Sequence, residues 1–245
     1  MTNAFTLITG ASSGIGEKCA IEHSQNRRII LSGRNYEKLD VVRKKCFNSD
    51  NHLIWCIDLA NKRMDIFHSL SSFLIEYDIV IESFVHCAGI TKILPLRNFT
   101  PQYVDQIFNT NIFSALEILR VLLKKDNKGT LANIIFISGL WSIRGDIGNS
   151  IYAASKGAIN SLVCSLAQEL APKVRVNAIL PGAIVTPMTE NLLLNSELGQ
   201  KISKDYPLGL GTIEDIVNYI LFLLSDKSRW ITGQNIVIDG GRSTK

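Results

Sequence analysis

Tyr152 and Lys156 stand four positions apart in the run Tyr152-Ala153-Ala154-Ser155-Lys156, the spacing that places two side chains on one face of a helix. A phenol with an ordinary pKa of about 10 is a poor acid–base group at neutral pH, and a neighbouring ammonium can stabilise its anion. The pair is therefore a candidate for moving a proton. A second run, Thr9-Gly10-Ala11-Ser12-Ser13-Gly14-Ile15-Gly16, joins an apolar stretch to a helical one. Glycines there allow a tight turn and a close approach of backbone to phosphate, and the following helix presents free N–H groups and the positive end of its dipole. The GxxxGxG spacing is neither GxGxxG nor the GxxxxGK pattern of triphosphate sites, so a nucleoside triphosphate is disfavoured.

The elements that must position these residues alternate along the whole chain. Strand-like apolar runs cover Phe5 to Thr9, Ile29 to Ser32, Leu53 to Ile57, Ser83 to Cys87, Asn133 to Ile137, Val174 to Leu180 and Asn235 to Ile238. Helical spacing fills the intervals. Thr100-Pro101 is an N-cap and N1 pair opening one long helix through Ile107, Phe108, Ile112 and Leu119, and Thr212 to Asp215 resembles a capping box. Continuous apolar strands separated by helices indicate a parallel sheet covered on both faces. The fold class expected is α/β, a doubly wound, mostly parallel sheet in a single domain over residues 1–245. Residues 183–211, with a helical patch at Leu192 to Leu194, leave the carboxyl end of a strand and form a candidate substrate lid.

Composition removes several other classes of function. With 245 residues, 46% hydrophobic and 20% charged, the chain has enough apolar material for a core and too little charge for a disordered segment. Its longest apolar runs, such as Tyr219 to Leu224, are far short of the roughly 18 residues of a spanning helix. A strand begins by Phe5, which leaves no room for a secretory signal, so the expected location is cytoplasmic. The net charge is +4, and the basic clusters Arg27-Arg28, Arg43 to Lys45 and Lys124-Lys125 are short and dispersed, so no nucleic-acid partner is expected. Five cysteines without CxxC and four scattered histidines without HExxH argue against a disulfide framework and a metal site.

Thr9 to Gly16, Tyr152 to Lys156 and Pro181-Gly182, in that order, resemble the short-chain dehydrogenase/reductase family in its single-domain branch, across essentially the whole chain. The general likeness is to the 3-oxoacyl-carrier-protein reductase type, with Asn111 in the matching long helix and Ile231-Thr232-Gly233 leading into Ile238-Asp239-Gly240-Gly241. The resemblance implies a Rossmann fold and a nicotinamide cofactor held by Gly10, Ser12, Ser13, Gly14, Ile15 and Gly16. It also implies that Asp58 and Leu59 border the adenine and Ala88 and Gly89 pack along the cofactor. Pro181 and Gly182 belong to the same cofactor site, and Ile184 and Thr186 meet the nicotinamide carboxamide. Tyr152 would protonate the substrate oxygen while the nicotinamide delivers hydride, Lys156 would also hold the nicotinamide ribose, and Asn111 would hold a water linking Lys156 to solvent. A homotetramer or homodimer through two long helices is implied as well.

Cofactor choice is read at the end of the second strand, where NAD enzymes carry a carboxylate for the ribose 2′-OH. Here Gly33 is followed by Arg34. A guanidinium can grip a 2′-phosphate, which points to NADP. The chain departs from the family at two places. His86-Cys87-Ala88-Gly89 replaces the usual Asn-Asn-Ala-Gly, and Gly139 stands thirteen residues before Tyr152, where the family has a serine that orients the carbonyl. Ser138 is the expected substitute, re-aimed by the freedom of Gly139. Ser142, or no serine, are the alternatives. The expected function is an NADP-dependent reductase or dehydrogenase of a carbonyl/secondary alcohol pair; the other reading is a cofactor-binding sensor or inactive partner subunit. Ile93, Leu94, Trp141, Ile143 and Leu192 to Leu194 suggest a partly apolar pocket.

Overall fold

Seven apolar runs become the strands of one sheet: β1 (Ala4–Thr9), β2 (Arg28–Gly33), β3 (Leu53–Cys56), β4 (Val80–His86), β5 (Asn133–Ile137), β6 (Arg175–Pro181) and β7 (Asn235–Ile238). The computed structural model describes residues 4–60, 63–127 and 129–244. The strand order is β3-β2-β1-β4-β5-β6-β7, and every neighbouring pair runs parallel. The sheet is thus fully parallel where a mostly parallel one was expected. Residues such as Leu7, Ile30, Phe84 and Ile134 are wholly buried, because helices cover both faces and each strand is apolar on both sides.

One layer holds α1 (Gly14–His23), α2 (Tyr36–Lys45) and α9 (Ile213–Leu224), packed through Cys19, Leu39, Val42, Ile216 and Ile220. The other holds α3 (Arg63–Glu76), α4 (Pro101–Phe108), α5 (Ser114–Leu122) and α6 (Ser150–Leu170), with Leu70, Ile118, Ile159 and Val163 in its core. Thr100 caps α4 by accepting from the Tyr103 N–H, with Pro101 at N1. Thr212 and Asp215 close a reciprocal capping box at the head of α9.

The long helix expected from Thr100 onward is instead two helices joined by a π turn, Asn109–Phe113. A π turn widens the ladder to i→i+5 and rotates the side chains around it, while the apolar spacing of Ile107, Ile112 and Leu119 reads as uninterrupted helix. Between β6 and α9, residues 183–211 fold into α7 (Glu190–Leu194) and α8 (Glu197–Lys204), and Ile184 forms a parallel bridge to Gly211. No described helix is long and apolar enough to cross a membrane.

Strand order reverses between β1 and β4. Crossovers leave these two strands in opposite directions, and the crevice beyond their carboxyl ends is where ligands bind in open α/β sheets. Thr9 and His86 end the two strands side by side, with Thr9 Oγ1 and His86 Nδ1 2.9 Å apart.

Candidate active site

The turn from β1 into α1 is built by what its glycines lack. Gly10 has φ +67°, and a Cβ there would lie 2.8 Å from the Ala88 nitrogen; a Cβ on Gly16 would overlap the Gly10 carbonyl. The loop therefore packs backbone on backbone against the end of β4. Ser13, the N-cap of α1, is extended and its side chain makes no capping bond, so the first-turn N–H groups remain available to an anion. Above this turn lies a cavity of about 610 Å³ that runs over the carboxyl ends of the strands to the 183–211 segment. Every cofactor-binding residue expected from the sequence lines it, and so do Tyr152, Lys156 and Ser138. A glycine cradle at a helix N-terminus, opening into one continuous cavity, fits a dinucleotide. Arg34 is exposed at the rim, beside Gly33, where a Cβ would stand 3.6 Å from Ser12 Oγ.

The Tyr152–Lys156 pair comes from the start of α6. Lys156 is buried and donates from Nζ to the Ile137 carbonyl at 2.7 Å, with Nζ 5.8 Å from the centroid of the Tyr152 ring. Burial pulls the Lys156 ammonium down to about 8 and pushes the Tyr152 phenol up to about 12. In the protein by itself desolvation governs both groups, and the phenol moves up, opposite to the direction a neighbouring ammonium would give.

Asn111 lies behind the cavity instead of lining it. Its Nδ2 donates to the Ile90 carbonyl (3.1 Å) and to Ser155 Oγ (3.0 Å), and its Oδ1 accepts from the Ile90 N–H (2.8 Å). The π turn is what presents it there. Ser155 Oγ in turn donates to the Tyr152 carbonyl at 2.7 Å. A Cβ on Gly89 would be 3.3 Å from Lys156 Nζ and 3.4 Å from Asn111 Oδ1, so the bare backbone at Gly89 lets both side chains approach. His86 lies beneath, packed against Phe84 and Phe136, with Nε2 unpartnered among the described residues. Burial, then the Lys156 charge, pulls its imidazole down to about 3. Cys87 lines the cavity, its thiol pushed up to about 12 by burial.

The substrate end is only partly the set read from the sequence. Ile93, Trp141, Leu192 and Leu193 line the cavity, whereas Leu94, Ile143 and Leu194 do not. Sequence reasoning missed Asn149, which also lines it and was hidden by its place as an ordinary helix N-cap. Its signal was the three-residue spacing to Tyr152, one helical turn.

A family model described as enoyl-(acyl carrier protein) reductase matches residues 10–243. The 3-oxoacyl-(acyl-carrier-protein) reductase of Rickettsia felis is 34% identical over 244 residues, covering 98% of this chain and 97% of that one. The chain belongs to the short-chain dehydrogenase/reductase family of oxidoreductases. Among solved structures, 4-hydroxyisoleucine dehydrogenase complexed with NADH has a TM-score of 0.90 at 28% identity, over 99% of both chains. ElxO with NADP bound has a TM-score of 0.87 at 25% identity, over 100% of both.

For a short-chain dehydrogenase/reductase the region before Tyr152 is unusual. A Cβ at Gly139 would stand 3.2 Å from the Tyr152 hydroxyl, so position 139 faces the phenol and offers it no side chain. Gly139 is extended, with φ 176° and ψ 154°, a conformation any residue adopts, and it does not re-aim its neighbour. The single Ser138 O–H is shared between Asn160 Oδ1 (2.8 Å) and the Lys156 carbonyl (3.1 Å). Ser142 Oγ accepts from Asn160 Nδ2 (2.7 Å) and donates to the Gly139 carbonyl (2.6 Å). Asn160, one turn beyond Lys156 on α6, thus holds both hydroxyls.

Proposed function

We propose that this chain is an NADP-dependent oxidoreductase that reduces a carbonyl to a secondary alcohol, with Tyr152 as the acid. The observation that carries the reading is that Tyr152 and Lys156 open into the same cavity as the glycine cradle. A bound nicotinamide supplies the hydride. Tyr152, a phenol protonated at neutral pH and held further from ionisation by burial, gives its proton to the oxygen as the carbonyl carbon accepts that hydride. Lys156, with Nζ 5.8 Å from the Tyr152 ring centroid, would stabilise the phenolate left behind and bond a ribose hydroxyl of the cofactor. Asn111 positions Ser155 and the Ile90 backbone behind them. The hydroxyls of Ser138 and Ser142 are bonded to Asn160 and its neighbours, so we assign neither as the carbonyl donor.

The choice of NADP rests on Arg34 and on the absence of a carboxylate at Gly33. A charge-assisted bond to a 2′-phosphate contributes about 1.5–3 kcal/mol, tenfold or more in affinity. The apolar walls at Ile93, Trp141 and Leu192 suit a ketone with an apolar arm, and the intact Tyr152–Lys156 pair argues against a sensor without turnover. The test is NADPH oxidation against acyl thioesters, keto sugars, steroids and diketones. Turnover of at least one is expected, with Tyr152→Phe losing it while retaining NADPH binding. The combination Gly33→Asp with Arg34→Ala is expected to reverse a preference for NADPH over NADH. Equal affinity of the unmodified protein for both cofactors would sink the NADP assignment, and full turnover by Tyr152→Phe would remove Tyr152 as the acid.

A further inference from the structure

The catalytic end of the cavity holds a polar side chain that the reaction above leaves unused. Asn149, the N-cap of α6, lies one turn ahead of Tyr152 and lines the cavity, yet is only 6% exposed. Its carboxamide makes no hydrogen bond with a described residue and does not cap its own helix. The sealed, unpartnered side-chain atoms among the described residues belong to Ser32, His86 and Asn235, so the Asn149 amide is buried from bulk solvent but still open to the cavity. A buried amide left unpaired is costly, and such groups ordinarily have a partner.

The backbone that carries this amide is held firmly. The Asn149 N–H donates to the Asp146 carbonyl (3.3 Å), its carbonyl accepts from the Ala153 N–H (2.7 Å), and the preceding Gly148 carbonyl accepts from the Leu94 N–H (2.9 Å). Three other side-chain donors on this stretch are bonded elsewhere: the two serine hydroxyls to the Asn160 cluster, and Trp141 Nε1 to Asp146 Oδ2 at 3.0 Å. At position 139 there is no side chain at all.

We propose that Asn149 is the second hydrogen-bond donor to the substrate oxygen, so that the Tyr152 O–H and an Asn149 Nδ2–H converge on the two lone pairs of one ketone. This rests on the carbonyl reductase reading. As hydride reaches the carbon, the carbonyl π pair moves onto the oxygen, which takes the Tyr152 proton and becomes the alcohol hydroxyl. Asn149 keeps its protons and supplies only a hydrogen bond that strengthens as charge develops. The bare backbone at Gly139 leaves room for the ketone oxygen, or a small group beside it, to lie between the two donors.

The test compares Asn149→Asp and Asn149→Ala with the unmodified protein. The Asn149 side chain makes no capping bond and aspartate has the same shape and suits the same helix start, so a purely structural role leaves Asn149→Asp at full activity. As a donor, Asn149 cannot be replaced by a carboxylate, which also repels the developing alkoxide. Both variants are expected to lose at least about tenfold in kcat, Asn149→Asp the more, with NADPH affinity unchanged. Calorimetric binding of the ketone to protein loaded with NADP⁺, a complex that cannot turn over, is expected to weaken in parallel. Wild-type kcat and ketone affinity in Asn149→Asp would overturn the proposal while Tyr152-dependent turnover stands. Absence of Tyr152-dependent turnover from the unmodified protein across the ketone panel would remove the reductase reading itself, and this proposal with it.

Discussion

Lys156 and His86, both buried, set opposite limits on pH. Lys156 is charged below about 8, so the charge that supports Tyr152 is lost as pH rises through that value. kcat/KM for NADPH, which reports the free protein, is therefore expected to fall about tenfold per pH unit above 8, and a flat profile to pH 10 would contradict the role given to Lys156. His86 acts on stability. Its folded pKa of about 3 lies below the unfolded value of 6.5, so its contribution is complete above pH 6.5 and is lost as pH falls toward 3. Between pH 6.5 and 5 that loss is about 2 kcal/mol. His23, pulled down to about 4 by burial, adds to the same slope. Urea unfolding at pH 7 and pH 5 is expected to show the loss, and His86→Asn to show a smaller difference between the two pH values; an unchanged difference would mean that His86 is not what acid attacks.

At the scale of elements, the β1–α1 turn is the most constrained piece of the site. Gly16→Ala places a methyl against the Gly10 carbonyl, backbone that cannot yield without moving the end of β4. Such overpacking costs about 1–3 kcal/mol. The variant is expected to melt several degrees lower and to bind NADPH at least tenfold more weakly, measured by thermal unfolding and by nicotinamide fluorescence; wild-type values in both would show that the loop is slack. This turn was legible in the sequence, as were the strands, which fall within a few residues of their apolar runs because a doubly covered parallel strand leaves little room for polar residues. The π turn was not legible, since inserting it between Ile107 and Leu119 preserves an apolar stripe. Nor was the direction of Ser138. Its partner Asn160 is 22 residues away in sequence, and an alternation rule says which face a side chain takes but not which hydroxyl acceptor it finds there.

Across the whole molecule, β1 to β3 carry the cradle and the Arg34 rim while β4 to β6 lead to Tyr152, Lys156 and the 183–211 segment, so the cavity joins two halves of one sheet at the β1–β4 crevice. Surface apolarity is scattered: Trp230 is 90% exposed and Leu208 85%, single residues that need no partner to explain them, so the expectation of an assembly rests on the family likeness. A dimer or tetramer is expected by light scattering, and a monomer at micromolar concentration would contradict the assembly. The fully parallel sheet also carries a kinetic consequence. No two neighbouring strands are joined by a hairpin, so no ladder can zip outward from a turn. Thr9 and His86 meet across 77 positions of chain, and until β4 arrives β1 presents an open edge that a second unfinished molecule can pair with. Recovery from denaturant is therefore expected to be slow, with second-order losses competing; dilution and low temperature, more than time, are expected to decide how much native protein returns.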